Sequence, residues 1–184
     1  EDNPESSKDF CKDILPAMLH AGEKMMSYQF TGYWKDVGTI ASLWEANMDL
    51  LGEDPKFDVS DDTWKIHSRN PLAPPEYIGD DAKISDSMIA LGCEIHGKVE
   101  HSVLASNVVI EKGAYVKDAV IMAGTVVKSG AAVEYSIVDE EVVIGENAKV
   151  GAPKDSGLGL DEKGKGIAVI GRNTVVEPGA SVAP

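Results

Sequence analysis

The chain has 184 residues, enough for one domain or two small ones. Its net charge of −14 argues against a protein that binds nucleic acid or membrane surfaces through clustered Lys and Arg side chains. No apolar run approaches the roughly 20 residues of a transmembrane helix, and no secretory signal opens the chain. Its cysteines, Cys11 and Cys93, lie too far apart in sequence to suggest a disulfide framework, which favours a cytoplasmic location.

The first segment, residues 1–51, has the pattern of the last part of an α/β domain. Its opening residues, 1–5, read as an interrupted loop without an initiator Met, so we expect a fragment of a longer protein. A helix is predicted by four-residue apolar spacing, with a serine cap before it, a break at a proline and an end at a glycine. These residues are Ser6 or Ser7, then Phe10, Ile14 and Met18, with Pro16 and Gly22.

A short strand and a second helix follow in the same segment. Met26, Tyr28 and Phe30 alternate with polar residues, which predicts a strand. Thr39 is well placed to cap the next helix, whose predicted apolar face comprises Ile40, Leu43, Trp44, Asn47 or Met48, and Leu51. Two helices and one strand cannot close a core, so this segment must pack on another domain or on the rest of the chain.

Residues 52–77 contain four prolines and several aspartates, which is typical of a linker. Phe57, Trp64 and Ile66 within it are candidates to anchor the linker on neighbouring surfaces.

Residues 78–184 repeat with a six-residue step. Apolar residues recur at six, six and five positions, from Leu104 to Ile110, Val116 and Ile121, and equivalent positions lie seventeen residues apart. A helix would place such residues three or four apart, and a simple strand two apart. The step is typical of the hexapeptide β-helix, in which stacked triangular coils bury columns of Ile, Val and Leu. We therefore predict a mainly β fold: a parallel β-helix, left-handed, preceded by a short α/β segment.

Two features interrupt or mark the repeat. A four-residue signature recurs at one corner, starting at Asp86, His101, Asp118 and Tyr135. The stretch from about 152 to 168 is rich in Gly, Lys and Asp, which predicts an exposed loop before the repeat resumes at Ile170.

Several motifs together resemble bacterial glucose-1-phosphate adenylyltransferase. The most specific is Gly32-Tyr33-Trp34-Lys35-Asp36-Val37-Gly38-Thr39 followed by Leu43-Trp44-Glu45-Ala46-Asn47. The segment Asp9-Phe10-Cys11-Lys12-Asp13 is also similar to the family's pattern, with Cys11 where Gly is usual. The linker's Trp64-Lys65-Ile66 and the β-helix agree as well, so the resemblance covers essentially the whole chain.

The resemblance implies transfer of the adenylyl group of ATP to glucose 1-phosphate, giving ADP-glucose and pyrophosphate for glycogen synthesis. It also implies a homo-oligomer, a tetramer in the family, and a Mg²⁺ ion held partly by Asp36. Magnesium prefers hard oxygen ligands and few protein groups. The family's nucleotide loop, its early metal-binding aspartate and its sugar-phosphate ligands would precede residue 1, so we expect this fragment to be inactive alone. In the whole enzyme, the β-helix would supply subunit and regulatory contacts.

Alternatives remain open for the individual residues. From the residues alone, Asp36 could equally cap the following helix, and Lys35 could be solvated or contact a phosphate. Tyr33 and Trp34 could line a sugar or nucleotide pocket, but we expect them to pack against that helix. Regulation by phosphorylated sugars or nucleotides would need basic groups, for which Lys98, Lys112, Lys117 and Lys128 are candidates, although scattered lysines usually only keep a surface soluble. The chain as a whole could also be a non-catalytic assembly module. A third possibility is a hexapeptide-repeat acyltransferase, for which His101 is a candidate base.

Overall fold

The computed structural model describes residues 6–63, 65–67, 71–154, 156 and 166–184. Contacts divide the chain into two compact units, Glu1–Gly32 and Tyr33–Pro184. The second helix of the chain therefore belongs to the same unit as the β-helix. The predicted division into an α/β segment (1–51), a linker (52–77) and a β-helix domain (78–184) stays a prediction.

The first unit contains a π-helical turn, Phe10–Ile14, which continues into helix α1, Leu15–His20. The predicted serine cap is wrong. Asp9 caps the turn by accepting hydrogen bonds from the amides of Cys11 and Lys12, while the hydroxyls of Ser6 and Ser7 donate to the Asp13 carboxylate. The helix ends as predicted at Gly22, whose φ of +69° is the left-handed conformation that glycine adopts at little cost.

The predicted strand around Tyr28 is absent from the structure, and residues 23–30 form no regular element. A strand requires a hydrogen-bonded neighbour, and the described part of this unit holds no other strand. Tyr28 is accordingly 89% exposed, and Met26 and Phe30 are exposed as well.

The second unit begins with helix α2, Ile40–Met48, capped as predicted by Thr39. The Thr39 hydroxyl accepts from the Ser42 amide, and the Ser42 hydroxyl accepts from the Thr39 amide, which satisfies two otherwise unpaired donors. Short strands then follow in chain order: β1 Tyr77–Ile78, β2 Lys83–Ser85, β3 Met88–Ile89, β4 Glu94–Ile95, β5 Lys98–Glu100, β6 Val103–Leu104, β7 Val109–Ile110, β8 Tyr115–Ile121, β9 Val126–Val127, β10 Ala132–Val138, β11 Val143–Ile144, β12 Lys149–Gly151, β13 Ala168–Ile170, β14 Val175–Val176 and β15 Ser181–Val182.

The strands pair in parallel and build three faces of a β-helix. One sheet has the order β1-β4-β7-β9-β11-β14. The second has the order β15-β12-β10-β8-β5-β2, and β3, β6 and β13 pair along its remaining length. Strands β8 and β10 pass through a corner, so each contributes to two faces. The fold class predicted from the six-residue step is confirmed as a parallel β-helix; its left-handed coiling stays a prediction.

Three columns of branched aliphatic side chains form the core. On the first face Ile110 pairs in register with Val127, and Val127 with Ile144, as the seventeen-residue repeat predicted. The described columns are Ile78, Ile95, Ile110, Val127, Ile144 and Val176; Ile84, Val99, Val116, Val133, Val150 and Val182; and Ile89, Leu104, Ile121, Val138 and Ile170. Each side chain that is fully buried contributes about 1.5–3 kcal/mol through the removal of apolar surface from water.

The corner signature marks residues in the left-handed conformation. Asp86, His101, Asp118 and Tyr135 have φ values of 43°, 43°, 51° and 43°. Non-glycine residues rarely adopt this region, and Asp, Asn and His are enriched among those that do. The signature is therefore a requirement of the corner. The predicted loop at about 152–168 lies mostly outside the described residues, as does Trp64 of the linker.

Helix α2 covers the outer surface of the face formed by β8 and β10. Trp44, in the middle of the helix, is 4% exposed and packs with Val120, Tyr135 and Ile137. Among the helices that the structure describes, none has the length and apolar character needed to cross a membrane.

Candidate functional site

Asp36 lies in the exposed loop that leads into helix α2. Its Oδ1 atom accepts a 3.0 Å hydrogen bond from the backbone amide of Gly38. Because the Thr39 hydroxyl caps the helix, the alternative role of Asp36 as the helix cap is wrong. Its carboxylate therefore tightens the turn before the helix and remains exposed to solvent.

The start of this loop is bonded to the far end of the same helix. Asp49, which follows helix α2, accepts hydrogen bonds from the Tyr33 hydroxyl at 3.2 Å, the Lys35 ammonium at 2.8 Å and the Lys56 ammonium at 2.7 Å. Lys35 also lies 3.4 Å from a carboxylate oxygen of Glu45. Lys35 is thus engaged in ion pairs and is not simply solvated, whereas its contact with a phosphate stays a prediction.

The charges around Asp49 set its titration. Burial by itself would raise the pKa of this carboxyl, but the hydrogen bonds from Lys35 and Lys56, and the positive charge of Lys35, lower it to about 2. The Asp49 side chain is 9% exposed and that of Lys35 is 22% exposed, so their ion pair is largely shielded from water, whereas Lys56 approaches from the solvent side. The cluster holds the residues before Asp36 against the helix that follows it.

The two aromatic residues of the loop behave differently. Tyr33 stacks on Phe57 of the linker, with ring centroids 5.3 Å apart, so the predicted anchoring by Phe57 is confirmed. Trp34 is 77% exposed, and the expectation that it packs against helix α2 is wrong. Ile66, another predicted anchor, is also exposed. Tyr33 is half-buried, because its ring stacks on Phe57 and its hydroxyl donates a hydrogen bond to Asp49.

The described residues offer Asp36 as a single exposed carboxylate in this loop. No group of three or more His, Cys, Asp or Glu side chains suited to a metal ion occurs in the part of the chain that the structure describes. One carboxylate oxygen is free of the Gly38 bond and available to a cation. This fits Mg²⁺, which uses one or two carboxylates and keeps several waters, but the loop alone cannot complete a site.

His101 lies in the β-helix beside Asp118, whose backbone carbonyl contacts helix α2. Its Nδ1 atom is 2.6 Å from Oδ1 of Asp118, and its Nε2 atom is 4.0 Å from a carboxylate oxygen of Asp86. The three residues occupy the same corner position in successive coils. A histidine flanked by carboxylates can accept or release a proton, but corner geometry accounts for its placement without any catalytic role.

A groove opens where one coil of the β-helix is shorter than its neighbours. Ile95 and Val99 are four residues apart, whereas the equivalent pairs in the coils on both sides are six apart. The missing residues leave an open groove of about 680 Å³, lined in part by Lys83, His96, Lys98, Lys112 and Tyr115. In the sequence, the short coil shows as a spacing of fifteen residues from Ile95 to Ile110, whereas Ile110, Val127 and Ile144 are each seventeen residues apart.

The groove is basic in an acidic chain. Lys112 reaches across it to Asp81, at 2.7 Å, so these residues join the two coils that flank the short one. On the other side Lys98 lies 2.9 Å from Glu100 and 4.9 Å from the centre of the Tyr115 ring. Of the four lysines considered for effectors, the structure brings Lys98 and Lys112 together here, and Lys128 is instead paired with Glu111 at 2.9 Å.

The fold and these sites define a class: a hexapeptide-type parallel β-helix preceded in the chain by short helices. Residues 76–170, more than half of the chain, match the family model described as "GlmU-like, C-terminal hexapeptide". The chain therefore belongs to that family. Residues 1–53 match the model described as "Nucleotidyl transferase".

Curated relatives agree with the resemblance found in the motifs. The chain is 50% identical over 142 residues to the glucose-1-phosphate adenylyltransferases of Bacillus mycoides strain KBAB4 and Bacillus cereus strain ATCC 10987. It is 49% identical over 142 residues to that of Bacillus cereus strain Q1. Each alignment covers 77% of this chain and 38% of the relative, so the chain spans well under half the length of the relatives it matches.

Proposed function

We propose that this chain is the C-terminal part of an enzyme that transfers the adenylyl group of ATP to glucose 1-phosphate, releasing pyrophosphate and forming ADP-glucose for glycogen synthesis. The observation that carries the proposal is the loop 33–39, with its exposed Asp36 held between two contacts to helix α2. The nucleotidyltransferase match over residues 1–53 includes this loop, and relatives about 50% identical carry the name of this activity.

In this proposal Asp36 supplies one oxygen ligand to a Mg²⁺ ion. Bound magnesium would neutralise charge on the ATP phosphates and on the departing pyrophosphate. Asp36 contributes a fixed carboxylate, because its Oδ1 atom is tied to Gly38 and its loop is tied to Asp49. Chemistry of this kind depends on positioning, since the oxygen of the sugar phosphate must meet the α-phosphorus in line.

The proposal is tested by assaying pyrophosphate release from ATP, Mg²⁺ and glucose 1-phosphate. We expect no turnover from this chain alone, because it offers a single carboxylate of the site. With the preceding nucleotidyltransferase segment present, we expect activity that falls by about 10²-fold or more in Asp36→Asn. Asp54→Asn, an exposed carboxylate in the linker, is the matched control. Turnover by the isolated chain, or full activity of Asp36→Asn, would refute the proposal.

The groove favours a second role, the binding of a small anionic regulator by the β-helix. Lys83, Lys98, Lys112 and His96 line it, and a bound anion would replace the carboxylates of Glu100 and Asp81 that now pair with Lys98 and Lys112. We expect Lys98→Ala to weaken binding of inorganic phosphate or a sugar phosphate in calorimetric titration, with Lys117→Ala as control. If Lys98→Ala and Lys117→Ala bound the anion with equal affinity, this groove would be excluded as its binding site.

Assembly and location complete the proposal. We propose a cytoplasmic homo-oligomer, a tetramer as the resemblance implies, joined through the β-helix; light scattering of this chain tests whether the β-helix assembles without the catalytic half. The acyltransferase alternative depends on His101 and its 2.6 Å contact with Asp118. Acetyl transfer that is lost in His101→Ala would establish that alternative.

A further inference from the structure

Asp36 is bonded to helix α2 on both sides of its position in the chain. Before it, Tyr33 and Lys35 donate to Asp49 just after the helix. After it, Thr39 forms the capping box with Ser42. Any displacement of helix α2 therefore carries Asp36 with it.

Helix α2 is in turn fixed to the β-helix by a hydrogen bond from Trp44, beside the apolar packing of Leu43 and Met48. The indole Nε1 of Trp44 donates a 2.7 Å hydrogen bond to the backbone carbonyl of Asp118. Asp118 lies at a corner of the coil, in the left-handed conformation with a φ of 51°. The residues are 74 positions apart in the chain, so the bond is a tertiary contact between the helix and a single coil.

The surroundings of Trp44 make its position specific. Its ring meets that of Tyr135 edge to face, with centroids 5.0 Å apart. The Lys154 ammonium lies 5.0 Å from the centre of the Trp44 ring and 6.0 Å from that of Tyr135. Edge-to-face aromatic pairs and cation–π contacts depend on orientation, so they fix the rotation of the helix as well as its distance from the coil.

We propose that Trp44 is a positioning residue for Asp36: its hydrogen bond to Asp118 sets the place of the cation-holding carboxylate from the β-helix. The function assigned to Asp36 rests on the adenylyltransferase proposal, whereas the mechanical link from Trp44 to the loop does not. The β-helix is then a scaffold for the reaction centre itself. Without that hydrogen bond, helix α2 would be held to the β-helix by apolar packing and by the bond from the Gly52 amide to Asp86.

The mechanical link is tested in this chain by hydrogen–deuterium exchange of the amides of residues 33–39. Trp44→Phe keeps an aromatic ring, although a smaller one, and removes the N–H donor. We expect exchange in this loop to rise about tenfold in Trp44→Phe and further in Trp44→Ala. Val176→Ala, which opens the core of the last coil, is the control: it lowers the melting temperature but leaves loop exchange unchanged. Wild-type exchange in Trp44→Phe would overturn the proposal.

The consequence for catalysis is tested in the protein that includes the preceding nucleotidyltransferase segment. We expect Trp44→Phe to raise the Mg²⁺ concentration for half-maximal rate about tenfold, with the KM for glucose 1-phosphate unchanged. Val176→Ala should change neither constant. Unchanged magnesium dependence in an active Trp44→Phe enzyme would overturn the positioning role. If the wild-type protein shows no adenylyl transfer, the proposed function fails, and the exchange experiment still decides the mechanical link.

Discussion

The carboxylate of Asp49 accepts a 2.8 Å hydrogen bond from the ammonium of Lys35, fourteen residues earlier in the chain. This contact joins the loop that holds Asp36 to the end of helix α2. Lys56 approaches the other oxygen of the same carboxylate at 2.7 Å, so the linker is attached at the same point. The loop, the helix and the linker therefore share one charged centre.

Asp49→Asn should destabilise the second unit in a pH-dependent way. The pKa of Asp49 is about 2 in the folded chain, below the ordinary value of 3.8. A lowered pKa contributes stability that is present above pH 4 and is lost as the pH falls through 2. We expect Asn to cost about 2 kcal/mol at pH 7 and clearly less at pH 3. Urea unfolding at both pH values measures the difference.

The exposed Asp54→Asn is the control for Asp49→Asn, with no expected change at either pH. A cost for Asp49→Asn that is equal at pH 7 and pH 3 would contradict the assignment of its effect to charge.

Ile144→Ala should test the stacking of the core columns. Ile144 is fully buried and lies in register between Val127 and Val176. Removing its branched side chain leaves a cavity in a column that cannot easily collapse, so we expect a loss of about 3 kcal/mol. Val143→Ala changes the adjacent, outward-facing residue and should cost about 0.5 kcal/mol. If urea unfolding showed similar losses of stability for Ile144→Ala and Val143→Ala, the prediction that only Ile144 faces the core would be wrong.

Gly97→Ala should disturb the short coil. A Cβ at this position would lie 2.5 Å from the carbonyl oxygen of Ala114 and 2.8 Å from that of Glu111. Both neighbours are backbone atoms, so the coils must separate, and we expect a loss of about 1–3 kcal/mol. At Gly171 the nearest atom to an added Cβ lies 4.0 Å away, which makes Gly171→Ala the matched control in thermal unfolding. Equal melting temperatures for the two variants would show that the coils do not pack this closely.

Tyr115→Phe should change the titration of Glu100 beside the groove. The Tyr115 hydroxyl donates a 2.6 Å hydrogen bond to the Glu100 carboxylate and, with Lys98, lowers the pKa of Glu100. Without this donor the pKa of Glu100 should rise toward its ordinary value, which NMR titration of the side-chain carboxyl carbon can follow. Tyr77→Phe, at an exposed position on the first face, should leave it unchanged. If the pKa of Glu100 were unchanged in Tyr115→Phe, Tyr115 would not be a cause of the lowered pKa.

Predictions from the sequence succeeded where neighbouring residues determine the structure. The six-residue step predicted the columns of Ile110, Val127 and Ile144, because each coil repeats the same short strand and the same turn. Thr39 and Gly22 were identified as helix ends because capping depends on atoms within a few residues. The strand predicted at Tyr28 failed, since a strand needs a partner that alternation along the chain cannot reveal.

The amino-acid sequence by itself determined the β-helix, its corners and the motif that contains Asp36. Only the tertiary structure decided that Trp44 docks on the carbonyl of Asp118, that Asp49 gathers Lys35 and Lys56, and that the short coil opens a basic groove. The physical reason is the distance along the chain over which each interaction acts. Apolar spacing and caps act over a few residues, whereas a hydrogen bond between positions 44 and 118, or an ion pair across a coil, depends on which surfaces the folded chain brings together.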